Sequence, residues 1–201
     1  MSPDGVDTTN FEKFQTGNPV VRRMFGNFFR TVGETVEPLA AGSVLDAGCG
    51  EGETLERLAS ILPPAPVGID LNPESIEFAK ARLPEARLSV GNLLDLPFED
   101  SSFELVLCLE VLEHLPDPNA GLSELLRVSG CDVVMSVPHE PWFRLGSLAR
   151  GKYLKSWGNH PEHVNHWNPK SFRGFLEAQA EVVELQTSMP WIIARCRPRG
   201  D

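Results

Sequence analysis

Residues 44–52, Val44-Leu45-Asp46-Ala47-Gly48-Cys49-Gly50-Glu51-Gly52, pass from a strand-like run into three alternate glycines, and a helix-like stretch over 54–62 follows. Alternate glycines let the backbone turn sharply and leave no Cβ between the main chain and a ligand pressed against it. The spacing is G-x-G-x-G. A dinucleotide site has G-x-G-x-x-G, with a pyrophosphate received at the helix N-terminus. Here Asp46 and Glu51 set two carboxylates at the turn, the wrong sign for a phosphate. A cationic or zwitterionic ligand suits it better.

Working outward, the next apolar run ends Gly68-Ile69-Asp70-Leu71-Asn72, which puts Asp70 at the tip of a neighbouring strand. A carboxylate there can accept both hydroxyls of a ribose. Its competing reading as a helix N-cap is weakened by Asn72, which already fills that role before Pro73-Glu74. The alternation continues with a helix from Asn72, strands over 87–90 and 103–109, a helix over 118–128 and a strand over 132–137. Upstream, Val20, Val21, Met24, Phe28, Val32 and Val36 recur at helical spacings after Thr16-Gly17-Asn18-Pro19.

Beyond Pro138 the alternation lapses over 141–169, rich in aromatic, basic and His residues, and reads as an excursion over the ligand face. A helix over 171–179 and strands over 181–187 and 191–196 close the chain as an antiparallel pair. Repeated β-α units predict an α/β fold: a doubly wound, mostly parallel seven-stranded sheet, Rossmann-like, with helices on both faces and an antiparallel terminal strand pair. Ligands of such sheets collect outside the carboxyl ends of the strands, where strand order reverses.

The composition is that of an ordinary globule, with 41% hydrophobic and 23% charged residues among 201. A net charge of −10 argues against nucleic acid as a partner, because sequence-independent affinity for phosphates comes from Lys and Arg. No apolar stretch approaches the roughly 20 residues that span a bilayer, and residues 1–10 lack a basic region followed by an apolar run. The expectation is a cytoplasmic protein without stable membrane insertion. Cys49, Cys108, Cys131 and Cys196 form no C-x-x-C pair, so reduced thiols are expected rather than disulfides or zinc.

VLDAGCGEG, then GIDLN, then GNLLDLPFEDSSFELVLCLEVLEHL resembles the class I S-adenosylmethionine-dependent methyltransferases, in the branch of the ubiquinone-biosynthesis C-methyltransferases. The likeness covers residues 42–118. Glu162-His163-Val164 with Trp167 more weakly resembles the family stretch that leads into its last helix. The resemblance implies that Asp46, Gly48 and Gly50 meet the methionine end of the cofactor and that Asp70 holds the ribose. It also implies that Leu71 packs on the adenine, that Asn92 and Leu93 meet the adenine edge, and that the Leu109 backbone lies near the sulfonium. The family often has Asp where this chain has Asn92; an amide can still accept from the adenine amino group. Phe11-Glu12-Lys13-Phe14 resembles the arm that closes over the cofactor in relatives, without their Tyr; the same residues could simply staple the first helix.

Methyl transfer from S-adenosylmethionine is an in-line displacement that needs placement and exclusion of water. An oxygen or nitrogen acceptor also gains from a general base, and His suits neutral pH. His163, His114 and His139 are the candidates. His160, His163 and His166 recur as H-x₂-H, with Pro161 interrupting any helix, so no metal site is expected. Arg144, Arg150, Lys152 and Lys155 lie between Trp142 and Trp157, where they serve an anionic or flat acceptor or form a solvated face.

The expected organisation is one methyltransferase domain, 1–201. Its parts are an arm and helix (1–40), a cofactor-binding core (42–138), an acceptor-side excursion (139–168) and a terminal helix and strand pair (169–201). The expected function is methyl transfer to a small-molecule acceptor, O-methylation favoured. The alternatives are a non-catalytic S-adenosylmethionine-binding sensor or partner subunit, and a nicotinamide-dependent oxidoreductase, which the carboxylates at the glycine turn disfavour.

Overall fold

The computed structural model describes residues 18–140 and 164–200. Asn18 caps the first helix, α1 (Pro19–Val36), its side-chain oxygen accepting from the Val20 amide at 2.9 Å, and Pro19 supplies a preset φ at the first helical position. The sheet is built from β1 (Val44–Ala47), β2 (Val67–Asp70), β3 (Arg87–Val90), β4 (Phe103–Leu109), β5 (Ser129–Pro138), β6 (Ala180–Ser188) and β7 (Trp191–Pro198). Among the described residues the remaining α-helices are α2 (Glu53–Arg57), α3 (Pro73–Arg82), α4 (Pro118–Val128) and α5 (Pro169–Glu177).

The seven strands follow the order β3-β2-β1-β4-β5-β7-β6. Strands β1 to β5 are parallel, and β7 pairs antiparallel with both β5 and β6. This is the Rossmann-like sheet expected from the alternation. The chain winds outward from β1 through β2 to β3, then crosses to β4 on the other side, so strand order reverses between β1 and β4 and opens a crevice at their carboxyl ends.

Strand β4 shows why that crevice is rigid. Its residues alternate between two cores: Val106 and Cys108 join Leu122, Leu125 and Met135 on one face, while Leu105, Leu107 and Leu109 meet Phe28, Phe29 and Val32 of α1 on the other. A strand covered on both faces reads as a continuous apolar run. Burying each such side chain contributes about 1.5–3 kcal/mol.

Two boundaries differ from expectation. The helix predicted over 54–62 is α-helical only over Glu53–Arg57. Leu58 and Ile61 continue as tight turns that pack on α1, with the Ile61 amide donating to the Leu58 carbonyl at 2.9 Å. Strand β5 begins at Ser129 and runs through Pro138, longer than 132–137, because Ser129 pairs with Phe103 of β4 at one end and Pro138 with Trp191 of β7 at the other. Cys49, Cys108 and Cys196 are buried and Cys131 is exposed, all as free thiols. Among the described residues no helix is long and apolar enough to cross a membrane, and no three His, Cys, Asp or Glu side chains could hold a metal ion.

Candidate functional site

The glycine turn at the tip of β1 has φ of +87° at Gly48, +49° at Gly50 and +81° at Gly52, a region that costs any L side chain. The Gly48 and Cys49 amides both donate to the Ile69 carbonyl, at 2.8 and 2.9 Å, which stitches the turn to β2. The three glycines have different neighbours. A Cβ at Gly48 would lie 2.4 Å from Val111 Cγ2, and one at Gly52 would lie 2.6 Å from Leu83 Cδ1, so protein packing already demands both. A Cβ at Gly50 would meet only Asp70 Oδ2, at 4.0 Å. Among the described residues, Gly50 is thus the glycine of the three whose bare face stays open. Gly48→Ala is expected to destabilise the fold by about 2–4 kcal/mol, from overpacking plus a left-handed φ, read as a lower denaturant midpoint. Adding Val111→Ala should recover only the packing part.

Three carboxylates sit at this turn. Asp70 is half-buried and brackets the crevice: its Oδ2 accepts from the Gly50 amide and its Oδ1 from the Asn72 amide, each at 2.8 Å. Asn72 is the cap of α3, accepting from the Glu74 and Ser75 amides, so Asp70 is not the cap of that helix. Asp46 is buried, and its Oδ2 has no hydrogen-bond partner among the described residues. Burial, and after it the charge of Asp70, pushes its pKa up to about 7. Glu51 is buried as well, its carbonyl accepting from Arg82 at 2.9 Å.

The next turn, after β4, adds Glu113, a buried carboxyl whose Oε2 has no partner among the described residues. Burial, and then Glu110, holds it well above the usual carboxylate range. Buried polar atoms are normally satisfied, so two oxygens without partners among the described residues, near the carboxyl ends of neighbouring strands, call for an occupant or a catalytic task.

Leu71 is 71% exposed beside Asp70, an apolar surface free to carry a flat ring. Asn92 is exposed, but its Oδ1 is engaged by the Leu94 amide at 3.0 Å. Leu93 and Leu109 have side chains in the two cores, so only their main chain can face a ligand. His114 is exposed on the single 3₁₀ turn Leu112–His114. His139 follows β5; its amide donates to the Pro190 carbonyl at 2.7 Å, and its Nδ1 is buried without a partner among the described residues. Burial lowers its pKa. His166 Nδ1 lies 3.9 Å from Glu140 Oε1. His163, His160, the basic cluster and the Phe11–Phe14 arm lie outside the described residues.

Several residues here carried no mark in the sequence. Asn165 donates its side-chain amide to the Leu112 and Leu115 carbonyls, at 3.2 and 2.7 Å, while the Val164 and Asn165 amides donate to the Glu113 carbonyl. This latches the segment that leads into α5 onto the turn that bears His114. Glu110, Ser136 and Trp191 form a second cluster at the tip of β4.

Residues 45–130 match the family model described as "Methyltransferase domain". A chloroplastic tocopherol O-methyltransferase of Arabidopsis thaliana is 30% identical over 158 residues, covering 68% of this chain and 45% of the relative. A probable S-adenosylmethionine-dependent methyltransferase of Mycolicibacterium smegmatis is 34% identical over 147 residues, 72% of this chain and 54% of the relative. A norajmaline N-methyltransferase of Rauvolfia serpentina is 36% identical over 106 residues, 48% of this chain and 36% of the relative. The chain thus spans about half the length, or less, of these curated relatives. In fold it is similar to magnesium protoporphyrin IX methyltransferase from Synechocystis, solved with bound S-adenosylhomocysteine, with a TM-score of 0.68 at 20% identity over 92% of this chain and 91% of that one.

Proposed function

We propose, from the premise that residues 45–130 are a class I S-adenosylmethionine-dependent methyltransferase domain, that this chain transfers a methyl group to a small-molecule acceptor, with oxygen favoured as the methylated atom. The observation that carries this reading is the pairing of a buried carboxylate, Asp46, whose Oδ2 has no partner among the described residues, with an open glycine face at Gly50 and a half-buried Asp70. Those residues fit the cofactor. Asp46 wants a positive partner, Asp70 retains lone pairs for two ribose hydroxyls, and Leu71 offers its exposed side chain to a ring.

S-adenosylmethionine supplies, when bound, a methyl group on a positively charged sulfur. The chain's own part is to hold, orient and take up a proton. Asp46 and Asp70 balance the ligand's charge and grip its sugar. The Asn92 and Leu93 main chain meets the base edge, and Leu109 lends its backbone at the tip of β4. His139 is the favoured general base among the described residues: its lowered pKa keeps the imidazole neutral, and its Nδ1 lacks a partner there. His114 and His163 remain proposed acceptor-side groups. The motifs resemble those of the quinone C-methyltransferase branch, while an O-methyltransferase and an N-methyltransferase both stand among the relatives. Acceptor choice therefore belongs to the turns after β4 and β5.

Incubation with labelled S-adenosylmethionine and a panel of phenols, carboxylates and amines tests this reading by label transfer to the acceptor. Tight cofactor binding without transfer to any member would favour the sensor reading instead. His139→Ala is expected to lower kcat at least 100-fold, within the usual range for a general base, with cofactor affinity little changed. In the wild type at saturating cofactor, the acid limb of kcat/KM for the acceptor should fall below 6.5, the ordinary His value, because a group that sheds its proton more readily stays a base to lower pH. A limb above 6.5 would remove His139 from the role.

A further inference from the structure

We infer that Glu110 is a positioning residue, whose carboxylate, held by Ser136 and Trp191, fixes the turn after β4 so that Val111 seats on the glycine turn and shapes the crevice. The inference rests on the methyltransferase reading for its consequence in binding, and on geometry alone for its mechanical part.

Glu110 is the residue directly after β4, and its φ is +60°. No side chain other than glycine's takes that conformation freely, so something must hold it. Its amide donates to the Ser136 carbonyl at 3.2 Å and to Ser136 Oγ at 3.1 Å. The Ser136 hydroxyl in turn donates to Glu110 Oε1 at 2.8 Å. A hydroxyl has one proton and two lone pairs, so accepting from the amide and donating to the carboxylate uses it consistently. The other oxygen, Oε2, accepts from Trp191 Nε1 at 2.6 Å.

The anchors are stiff. Ser136 is fully buried in β5, and the Trp191 ring is buried with its centroid 5.0 Å from that of Phe25 and 4.8 Å from that of Phe28, both on α1. Across the crevice, Val111 is the side chain that a Cβ at Gly48 would strike. The backbone angle at Glu110 therefore decides where Val111 lands, and Val111 presses the turn that presents Gly50. A continuous chain of contacts runs from α1 through Trp191, Glu110 and Val111 to Gly48. The turn itself hangs on β2 through the Gly48 and Cys49 amides.

The test uses Glu110→Gly, which relieves the φ and removes the bracket, Glu110→Gln, which keeps an acceptor for Trp191, and Trp191→Phe, which keeps the ring and removes the N–H. Hydrogen exchange of the Gly48 and Cys49 amides needs no ligand. It should speed up about tenfold or more in Glu110→Gly and Trp191→Phe, the scale of one charge-assisted hydrogen bond, and return most of the way in Glu110→Gln. Affinity for S-adenosylhomocysteine should fall about tenfold in Glu110→Gly, and the double variant with Trp191→Phe should be no weaker than Glu110→Gly alone, since the two share one bond. If Glu110→Gly does not fold, Glu110→Gln and Trp191→Phe carry the same comparison. Unchanged exchange at Gly48 and Cys49, or fully additive losses, would overturn the inference. Wild type that fails to bind S-adenosylhomocysteine while the exchange result holds would sink the methyltransferase reading and leave Glu110 in place.

Discussion

Asp46→Asn is expected to raise the melting temperature of the ligand-free protein by a few degrees at pH 8, by less than half as much at pH 5, and to weaken S-adenosylmethionine binding about 10- to 100-fold. The native pKa of Asp46 is about 7 against an ordinary 3.8. A carboxyl raised in this way binds its proton more tightly folded than unfolded. Its stabilising contribution is fully present below 3.8 and is lost as pH rises through about 7. Above that pH the ligand-free fold carries a buried charge with an unpartnered oxygen, a cost on the order of 1–3 kcal/mol once relaxation is allowed for.

Asn cannot charge, so the cost disappears at pH 8, and each kcal/mol recovered moves the midpoint by roughly 2–4 °C in a chain of this size. The cation loses its partner at the same time, which is worth about 1.4–2.8 kcal/mol on the stated affinity scale. The same linkage makes wild-type affinity for S-adenosylmethionine fall as pH drops below 7, with about one proton released on binding, measurable by calorimetry in buffers of different ionisation heat. Equal melting shifts at pH 5 and pH 8 would show that the charge of Asp46 is not what the variant removes.

Asp70→Ala should have the larger effect on binding, about 100-fold or more, with a melting temperature lowered by several degrees. Its carboxylate holds the Gly50 and Asn72 amides at 2.8 Å each, so its loss frees the glycine turn and the entry to α3 as well as a sugar partner. Hydrogen bonds to a charged group are worth about 1.5–3 kcal/mol each. Asp70→Asn keeps one accepting oxygen and should fall between. Calorimetry with S-adenosylhomocysteine and a thermal melt on the same samples separate the two roles. A lower midpoint with intact affinity would leave Asp70 as a bracket only.

The parts of the molecule legible in the sequence are those encoded by local pattern. Glycines at alternate positions after a strand, a carboxylate at the next strand's tip, and Asn-Pro at the openings of α1 and α3 act within a few residues, and each appears where expected. Leu93 and Leu109 show the limit. Their place beside the ligand strands was readable, but which way the side chains turn depends on α1 and α4 packing from far along the chain. Nor could spacing reveal the Glu110 to Trp191 bond, which joins residues 81 apart, or the fit of Val111 over Gly48, which makes one glycine a packing requirement while Gly50 stays open among the described residues. Helix α2 came out shorter than its apolar spacing because Leu58 and Ile61 reach α1 through turns as readily as through a helix.

A crystal structure of the protein with S-adenosylhomocysteine tests the central claim most directly. The account predicts the ribose hydroxyls on the Asp70 carboxylate, the amino-acid end over Gly50 with Asp46 as its negative partner, and the base against Leu71. Density for the ligand elsewhere, or a nicotinamide dinucleotide displacing it from that crevice, would contradict the account.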